Sequence, residues 1–173
     1  MKIFSFVLLA LCIQPAVCQA HYVHDGKYAL PDSKFTPGAI DSRLIADTSG
    51  KHHVVNRVEA NLCAKDFRTG PWRKVSESEK KNACKEYGIT EGCPGPAYEL
   101  DHLISLEIGG SDDVTNLWPQ PLNQARIKDH GTEDPLPKLV CSGKITLKDA
   151  QECISKDWVS CMEKVKSLEG GKK

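Results

Sequence analysis

Apolar and polar positions along the chain predict two helices with clear boundaries. From residue 147 to residue 161, apolar residues recur at helical spacing, which is typical of a helix that packs one face against a core. Thr146 and Asp149 resemble a capping box at the start of this helix. A second capping box, Ser76 with Glu79, predicts a helix that ends before Gly88. The apolar positions of the first pattern are Leu147, Ala150, Ile154, Trp158 and Cys161.

Extended segments and turns are predicted in the middle of the chain. Residues 98–104 favour a strand by their β-propensity and apolar content, and residues 109–113 form a turn cluster. A short helix is expected to begin near Asn123. Residues 61–75 also predict a hairpin, with its turn at Gly70.

The chain begins with a segment that is typical of a secretory signal peptide. Lys2 precedes an apolar run, and small residues follow at the expected cleavage site. The run is too short to span a bilayer, and no other stretch approaches that length, so we expect no membrane association after signal removal. The predicted division is a signal peptide (1–20), a loop-rich segment (21–60), one domain (61–168) and a disordered tail (169–173).

Composition excludes several classes of protein. The chain has 23 basic and 23 acidic residues, so its net charge is close to zero. A protein that coats nucleic acid usually carries a basic excess, but a nuclease can meet the phosphate backbone through a few local cations. An integral membrane protein, a coiled coil and a large multidomain enzyme are also excluded by the length and the pattern.

Six cysteines remain beyond the signal peptide, which in a secreted chain implies three disulfides with fifteen possible pairings. Cys84 and Cys93 would close a short loop, and Cys63 with Cys141 would tie distant parts of the chain together. Cys153 and Cys161 then remain. Eight residues of continuous helix would hold their Cα atoms about 12 Å apart, beyond disulfide reach. This third pair therefore requires a break near residues 156–157, or the pairing must change.

An acid and an imidazole adjoin in the predicted central strand. Asp101 precedes His102, a glycine turn follows, and Asn116 comes fourteen residues after the histidine. Neutral imidazole can accept a proton from water near pH 7, and a divalent cation can neutralise charge that builds on a phosphate. Such a set suits phosphodiester hydrolysis. Neighbouring residues of a regular strand point to opposite faces, so the strand must end or bulge at this pair.

The region resembles the HNH nucleases of the ββα-metal (His-Me finger) superfamily. The resemblance is most specific in YELDHLISLE at 98–107 and NLWPQP at 116–121. Over roughly residues 30–158, the chain also resembles small secreted HNH-like proteins. The resemblance implies an α+β fold in which a ββα-metal core (98–130) is surrounded by flanking helices and disulfide-stabilised loops.

The resemblance also implies roles for individual residues. His102 would be the general base, and Asp101 would be a metal ligand. Asn116 would hold the hairpin loop and orient the histidine. The third family position, on the helix, binds the metal ion, and Asn123 is the match in this chain.

The third ligand has alternatives. Asn123 lies seven residues after Asn116, whereas a spacing of nine is commoner in HNH nucleases and falls here on Ala125. Asp129 or His130 could supply the ligand instead. Pro135 and Pro137 also interrupt what would otherwise be a longer helix.

Three further residues have two interpretations each. Glu107 could brace the metal-bound water or the imidazole, or it could be an exposed acid. Arg126 and Lys128 could contact substrate phosphate, or they could belong to a solvated helix surface.

The function expected from these observations is metal-dependent hydrolysis of DNA, or of RNA, by a secreted monomer. Magnesium is the expected metal because carboxylate and amide oxygens are hard ligands, with manganese, calcium and zinc as alternatives. The second hypothesis is a catalytically inactive secreted protein that uses the same fold as an effector or toxin-like binder. A third is a disulfide-rich structural protein without a ligand.

Overall fold

The structure, a computed structural model, describes residues 22–25, 27–48 and 60–170. The predicted signal peptide lies outside the described residues, as do residues 171–173 of the predicted tail. Residues 169 and 170 belong to the last helix. Among the described residues, no helix combines the length and the apolar character that crossing a membrane requires.

In the part of the chain that the structure describes, the strands pair into three small sheets. Strands β1 (Tyr22–Asp25) and β2 (Tyr28–Pro31) are antiparallel, and β3 (Leu44–Ile45) pairs in parallel with β4 (Ala60–Asn61). Strands β5 (Tyr98–His102) and β6 (Leu117–Pro121) form the antiparallel pair that carries the candidate site. Strand β5 ends at His102, so the alternation of a regular strand stops at this residue.

The hairpin predicted at residues 61–75 does not form. Only Asn61 of this segment belongs to a strand, and Gly70–Trp72 is a single turn of 3-10 helix with Pro71 near its start. Proline has no N–H to offer to a strand ladder, and its fixed φ angle suits a helical first turn. The Trp72 ring lies beneath the guanidinium of Arg43, with 5.0 Å between the ring centroid and Cζ.

The described chain contains five α-helices, of which one precedes β5 and four follow β6. They are α1 (Glu77–Glu86), α2 (Leu122–Lys128), α3 (Pro135–Cys141), α4 (Leu147–Lys156) and α5 (Trp158–Gly170). Helix α1 starts with the predicted capping box, in which Ser76 and Glu79 exchange side-chain and backbone hydrogen bonds. Helix α2 starts directly after β6, so the central unit has the order β5–β6–α2.

A turn of π-helix, Asp129–Glu133, joins α2 to α3. In this turn the N–H of Asp134 donates to the carbonyl of Asp129, five residues earlier. The prolines that were expected to interrupt the helix lie in α3, where Pro135 is the first residue and needs no intrahelical N–H partner. The chain therefore continues through Pro135 as a helix with one widened turn.

Three disulfides connect these elements. They join Cys63 to Cys141, Cys84 to Cys93 and Cys153 to Cys161. The third bridge is possible because the helical pattern of residues 147–161 is broken at Asp157, whose φ of −166° and ψ of 102° are extended. Its carboxylate then accepts the N–H groups of Val159 and Ser160 at the start of α5. The break brings the two Cα atoms to 5.2 Å.

The core lies between the central ββα unit and the C-terminal helices. Trp118 of β6 and Trp158 of α5 are both completely buried in it. The segment predicted to be rich in loops also contributes, because Ala29 is buried there and its carbonyl accepts a hydrogen bond from the Trp158 indole. Helices and strands thus pack together in the α+β arrangement expected from the sequence. Three disulfides in a small domain are compatible with an extracellular location.

Candidate active site

The imidazole of His102 is held by an acid from the hairpin loop. Its Nε2 lies 2.7 Å from Oδ1 of Asp112, and each side chain keeps only 10% of its surface exposed. The other carboxylate oxygen of Asp112 accepts the backbone N–H groups of Lys74 and Val75. Asp112 therefore connects the histidine to the segment that precedes α1, which contains Arg73 and Lys74.

The electrostatic surroundings keep this imidazole neutral near pH 7. Burial lowers the pKa of His102; the hydrogen bond to Asp112 offsets part of this effect, and the positive charge of Arg73 adds to it. Burial works to raise the pKa of Asp112, but the N–H groups of Lys74 and Val75 and the His102 ring outweigh it, so the pKa is lowered. Asp112 is thus a carboxylate that accepts the proton on Nε2, which leaves the lone pair on Nδ1.

Asn116 holds the loop that carries Asp112. It is completely buried, and its amide nitrogen donates to the carbonyls of Ile104 (2.9 Å) and Ser111 (2.8 Å). Its amide oxygen accepts the N–H of Ile104 at 3.0 Å and that of Ala39 at 3.4 Å. The Asn116 side chain thus fixes the loop at two points, one shortly after His102 and the other directly before Asp112.

Gly110 allows this loop to fold back against the residues that follow β5. A Cβ atom at this position would lie 1.8 Å from the carbonyl oxygen of Ile104, a distance at which two atoms overlap. Gly109 before it has a φ of 77°, in the left-handed region that favours glycine. The glycine turn in the sequence therefore has a steric cause.

Asp101 points away from His102 and into the face covered by α2. Its Oδ2 accepts the indole N–H of Trp118, the residue opposite it on β6, at 2.8 Å. The ammonium of Lys128 lies 2.8 Å from the same oxygen. Burial raises the pKa of Asp101 to about 7, even though Lys128 acts in the opposite direction.

Lys128 is completely buried and fully bonded. Besides Asp101, its Nζ donates to the carbonyl of His102 at 2.9 Å and to Oε1 of Glu133. Burial alone would lower the pKa of Lys128, but the charges of Asp101 and Glu133 outweigh it and hold the pKa above its usual range. Lys128 therefore belongs neither to a solvated helix surface nor, in this arrangement, to a phosphate-contacting face.

The structure does not bring the other predicted residues to this point. Asn123 is exposed on α2 and, five residues before Lys128, lies about 140° around the helix from it. Arg126 is exposed as well. The alternative ligands Asp129 and His130 line a cavity of about 410 Å³, shared with Glu107 and Glu133. His130 is exposed and pairs with Asp134 at 2.8 Å.

The described residues do not fit the metal site that the resemblance implies. The carboxylate of Asp101 already binds an ammonium and an indole, and the helix offers it Lys128 where an oxygen ligand was expected. Among the described residues, no group of three or more His, Cys, Asp and Glu side chains is arranged to hold a metal ion. A cation at Asp101 would have to displace Lys128.

Three residues of this site were not predicted from the sequence. Asp112 belongs to the predicted turn cluster, and the folding of this turn returns the chain toward His102. Glu133 was missed because α-helical spacing pairs Lys128 with residue 132, whereas the π turn brings residue 133 beside it. Arg73 was not predicted as a site residue, since its proximity to His102 depends on the hydrogen bonds of the next two residues to Asp112.

Comparisons with known proteins leave the site to be interpreted from its own geometry. No family model, no curated protein and no solved structure matches this chain.

Proposed function

We propose that the protein is a secreted phosphodiesterase that cleaves DNA or RNA, with His102 as the general base. The observation that carries the proposal is the hydrogen bond between His102 Nε2 and Asp112 Oδ1. It fixes the tautomer in which Nδ1 is the acceptor, and among the described residues Nδ1 has no hydrogen-bond partner. A neutral, oriented imidazole with a lone pair is the group that activates water.

The proposed reaction is hydrolysis of one phosphodiester bond. Nδ1 of His102 accepts a proton from water as the water oxygen forms a bond to phosphorus. The ester bond from phosphorus to the leaving oxygen breaks with its electron pair, and that oxygen takes a proton from solvent. The imidazolium then returns its proton to solvent, so the ring is regenerated. Asp112 stabilises the imidazolium by its negative charge.

Arg73 is the group that we assign to the substrate phosphate. Its side chain is exposed, and its charge acts on the His102 ring. A guanidinium can donate two parallel hydrogen bonds to phosphate oxygens, so it can hold the ester and offset developing charge. The hydrogen bonds from the N–H groups of Lys74 and Val75 to Asp112 hold the adjoining backbone next to the catalytic base.

The order β5–β6–α2 and the loop bonds of Asn116 support this proposal, because they agree with the HNH resemblance of residues 98–121. Secretion is part of the proposal, supported by the apolar N-terminal segment and the three disulfides. We propose HNH-type nuclease activity for the fold, with no role assigned to Asn123.

The test is a cleavage assay with the oxidised protein that lacks residues 1–20. Supercoiled plasmid and single-stranded RNA are incubated with wild type, His102→Ala and His130→Ala, in magnesium-containing buffer. We expect cleavage by wild type and His130→Ala, and a loss of about 10²–10⁴-fold in His102→Ala. The control replaces an exposed imidazole that is paired with Asp134 rather than with Asp112. Equal cleavage by wild type and His102→Ala would refute the proposal, as would nucleic-acid binding without cleavage.

A further inference from the structure

Three oxygen atoms surround one positive charge beside the candidate base. The ammonium of Lys128 meets a carboxylate oxygen of Asp101, a carboxylate oxygen of Glu133 and the backbone carbonyl of His102. Carboxylate and carbonyl oxygens are the ligands that hard divalent cations prefer in proteins. An ammonium has three N–H donors, and this site supplies three acceptors for them.

The ammonium excludes a second cation from the same place. Its Nζ lies 2.8 Å from Asp101 Oδ2 and 2.9 Å from the His102 carbonyl oxygen, and the side chain has no exposed surface. A metal ion would need these oxygens at about 2.0–2.6 Å, so it cannot bind them while Nζ occupies their centre.

The backbone is shaped to produce this arrangement. Lys128 and Glu133 are five residues apart, which in an α-helix would separate them by about 140°. The π turn from Asp129 to Glu133 widens the helix and brings both side chains to the same side. Gly131 in this turn allows close packing, because a Cβ there would lie 2.5 Å from Sδ of Met162.

We propose that Lys128 takes the position of the divalent cation, so that this protein neither binds a metal ion at Asp101 nor needs one for cleavage. The claim that cleavage needs no metal ion rests on the proposed function. The claim that no metal ion binds at Asp101 does not. The ammonium compensates the charges of Asp101 and Glu133 and fixes the carbonyl of His102. Arg73, whose side chain is exposed near His102, supplies the positive charge that faces the substrate.

Two measurements on the wild-type protein test the inference. The first is plasmid cleavage by protein from which metal ions have been removed, measured in EDTA, with added Mg²⁺ and with added Mn²⁺. We expect the same rate in all three conditions. The second is the unfolding temperature with Mn²⁺ or EDTA, which we expect to be equal. Cleavage that EDTA abolishes and Mn²⁺ restores would overturn the inference while leaving the nuclease proposal intact.

A substitution tests the position of the charge. Lys128→Asn replaces the ammonium by a shorter side chain whose amide oxygen can serve as a metal ligand beside Asp101 and Glu133. We therefore expect Mn²⁺ to raise the unfolding temperature of this variant. Arg126→Asn, on the exposed side of the same helix, should show no Mn²⁺ effect. A folded Lys128→Asn protein without Mn²⁺ affinity would contradict the inference. If Lys128→Asn does not fold, the inference is tested by Mn²⁺ binding to the wild-type protein. Such binding would overturn the inference.

Absence of cleavage in every condition would refute the proposed function alone. The claim that no metal ion binds at Asp101 would then be judged by the unfolding temperatures. An Mn²⁺ effect in wild type would overturn it, and an Mn²⁺ effect confined to Lys128→Asn would support it.

Discussion

His102 and Asp112 are ten residues apart in the sequence, and their side chains meet at 2.7 Å because the loop between β5 and β6 folds back on itself. Asn116 holds both ends of that loop, and Gly110 lets it approach the carbonyl of Ile104. The ring orientation of His102 therefore depends on residues that do not touch it.

The pKa of His102 should respond in opposite directions to two substitutions. We expect the pKa of wild-type His102 to lie below 6.5, because burial is its largest influence. Asp112→Asn removes an interaction that favours the charged ring, so the pKa should fall further. Arg73→Gln removes a cation that disfavours the charged ring, so the pKa should rise. NMR titration of the imidazole resonances measures all three.

Lys148→Gln is the control for this titration, since Lys148 is exposed on α4, where its Nζ lies 3.8 Å from a carboxylate oxygen of Glu152. It should leave the pKa of His102 unchanged. Shifts of the same sign in Asp112→Asn and Arg73→Gln would contradict the described electrostatics. The lowered pKa also links His102 to stability: its contribution is complete above about pH 6.5 and is lost as pH falls through the pKa of the folded state.

Lys128→Met should destabilise the protein strongly. It leaves the buried carboxylate of Asp101 without its cation, and breaking a buried ion pair in this way costs about 3–5 kcal/mol. Urea unfolding at pH 9 measures this loss, because the pKa of Asp101 is already about 7 in wild type and the carboxylate carries its charge only above it. At pH 5 the loss should be smaller, because the raised pKa of Asp101 rises further without Lys128, and its protonated form then avoids the unpaired charge.

The matched control is Arg126→Met, two residues earlier on the exposed side of α2. Its effect should stay within about 0.5 kcal/mol. If Lys128→Met were as mild as this control, the ammonium could not be compensating the buried acids.

Gly110→Ala should disrupt the hairpin loop, whereas Gly70→Ala should be tolerated. The new Cβ at position 110 would overlap the carbonyl oxygen of Ile104, a backbone atom that cannot move without breaking its bond to Asn116. At Gly70 no atom lies within 4 Å of the added carbon. Thermal unfolding should show a lowered midpoint for the first variant and little change for the second. Equal midpoints would mean that the loop is not packed against Ile104 as described.

The disulfides should differ in their contribution to stability. Loop-closure entropy predicts about 4–5 kcal/mol for the bridge from Cys63 to Cys141, which closes a separation of 78 residues. For the bridge from Cys153 to Cys161, with a separation of 8 residues, it predicts about 2–3 kcal/mol. Paired Cys→Ala variants, compared by urea unfolding, give the order. A larger loss for the short loop would show that packing around α4 and α5, rather than chain entropy, dominates.

Local sequence patterns predicted the elements whose causes are local. The capping box at Ser76 marks the start of α1. Of the two alternatives for the third disulfide, the structure has the helix break near residue 157, where Asp157 ends α4 and caps α5. The hairpin at residues 61–75 was predicted wrongly, because turn residues such as Gly70 and Pro71 also suit the 3-10 turn that forms there.

The sequence by itself determined that an acid and a histidine end a strand and that a glycine turn and an asparagine follow at fixed distances. These are properties of neighbouring residues and short spacings. Only the tertiary structure decided which charges meet. Helix α2 presents Lys128 to Asp101 and leaves Asn123 exposed, and a π turn adds Glu133. The physical reason is that the facing side of a helix depends on its start, its winding and the sheet beneath it, none of which is fixed by the spacing of the ligands along the chain.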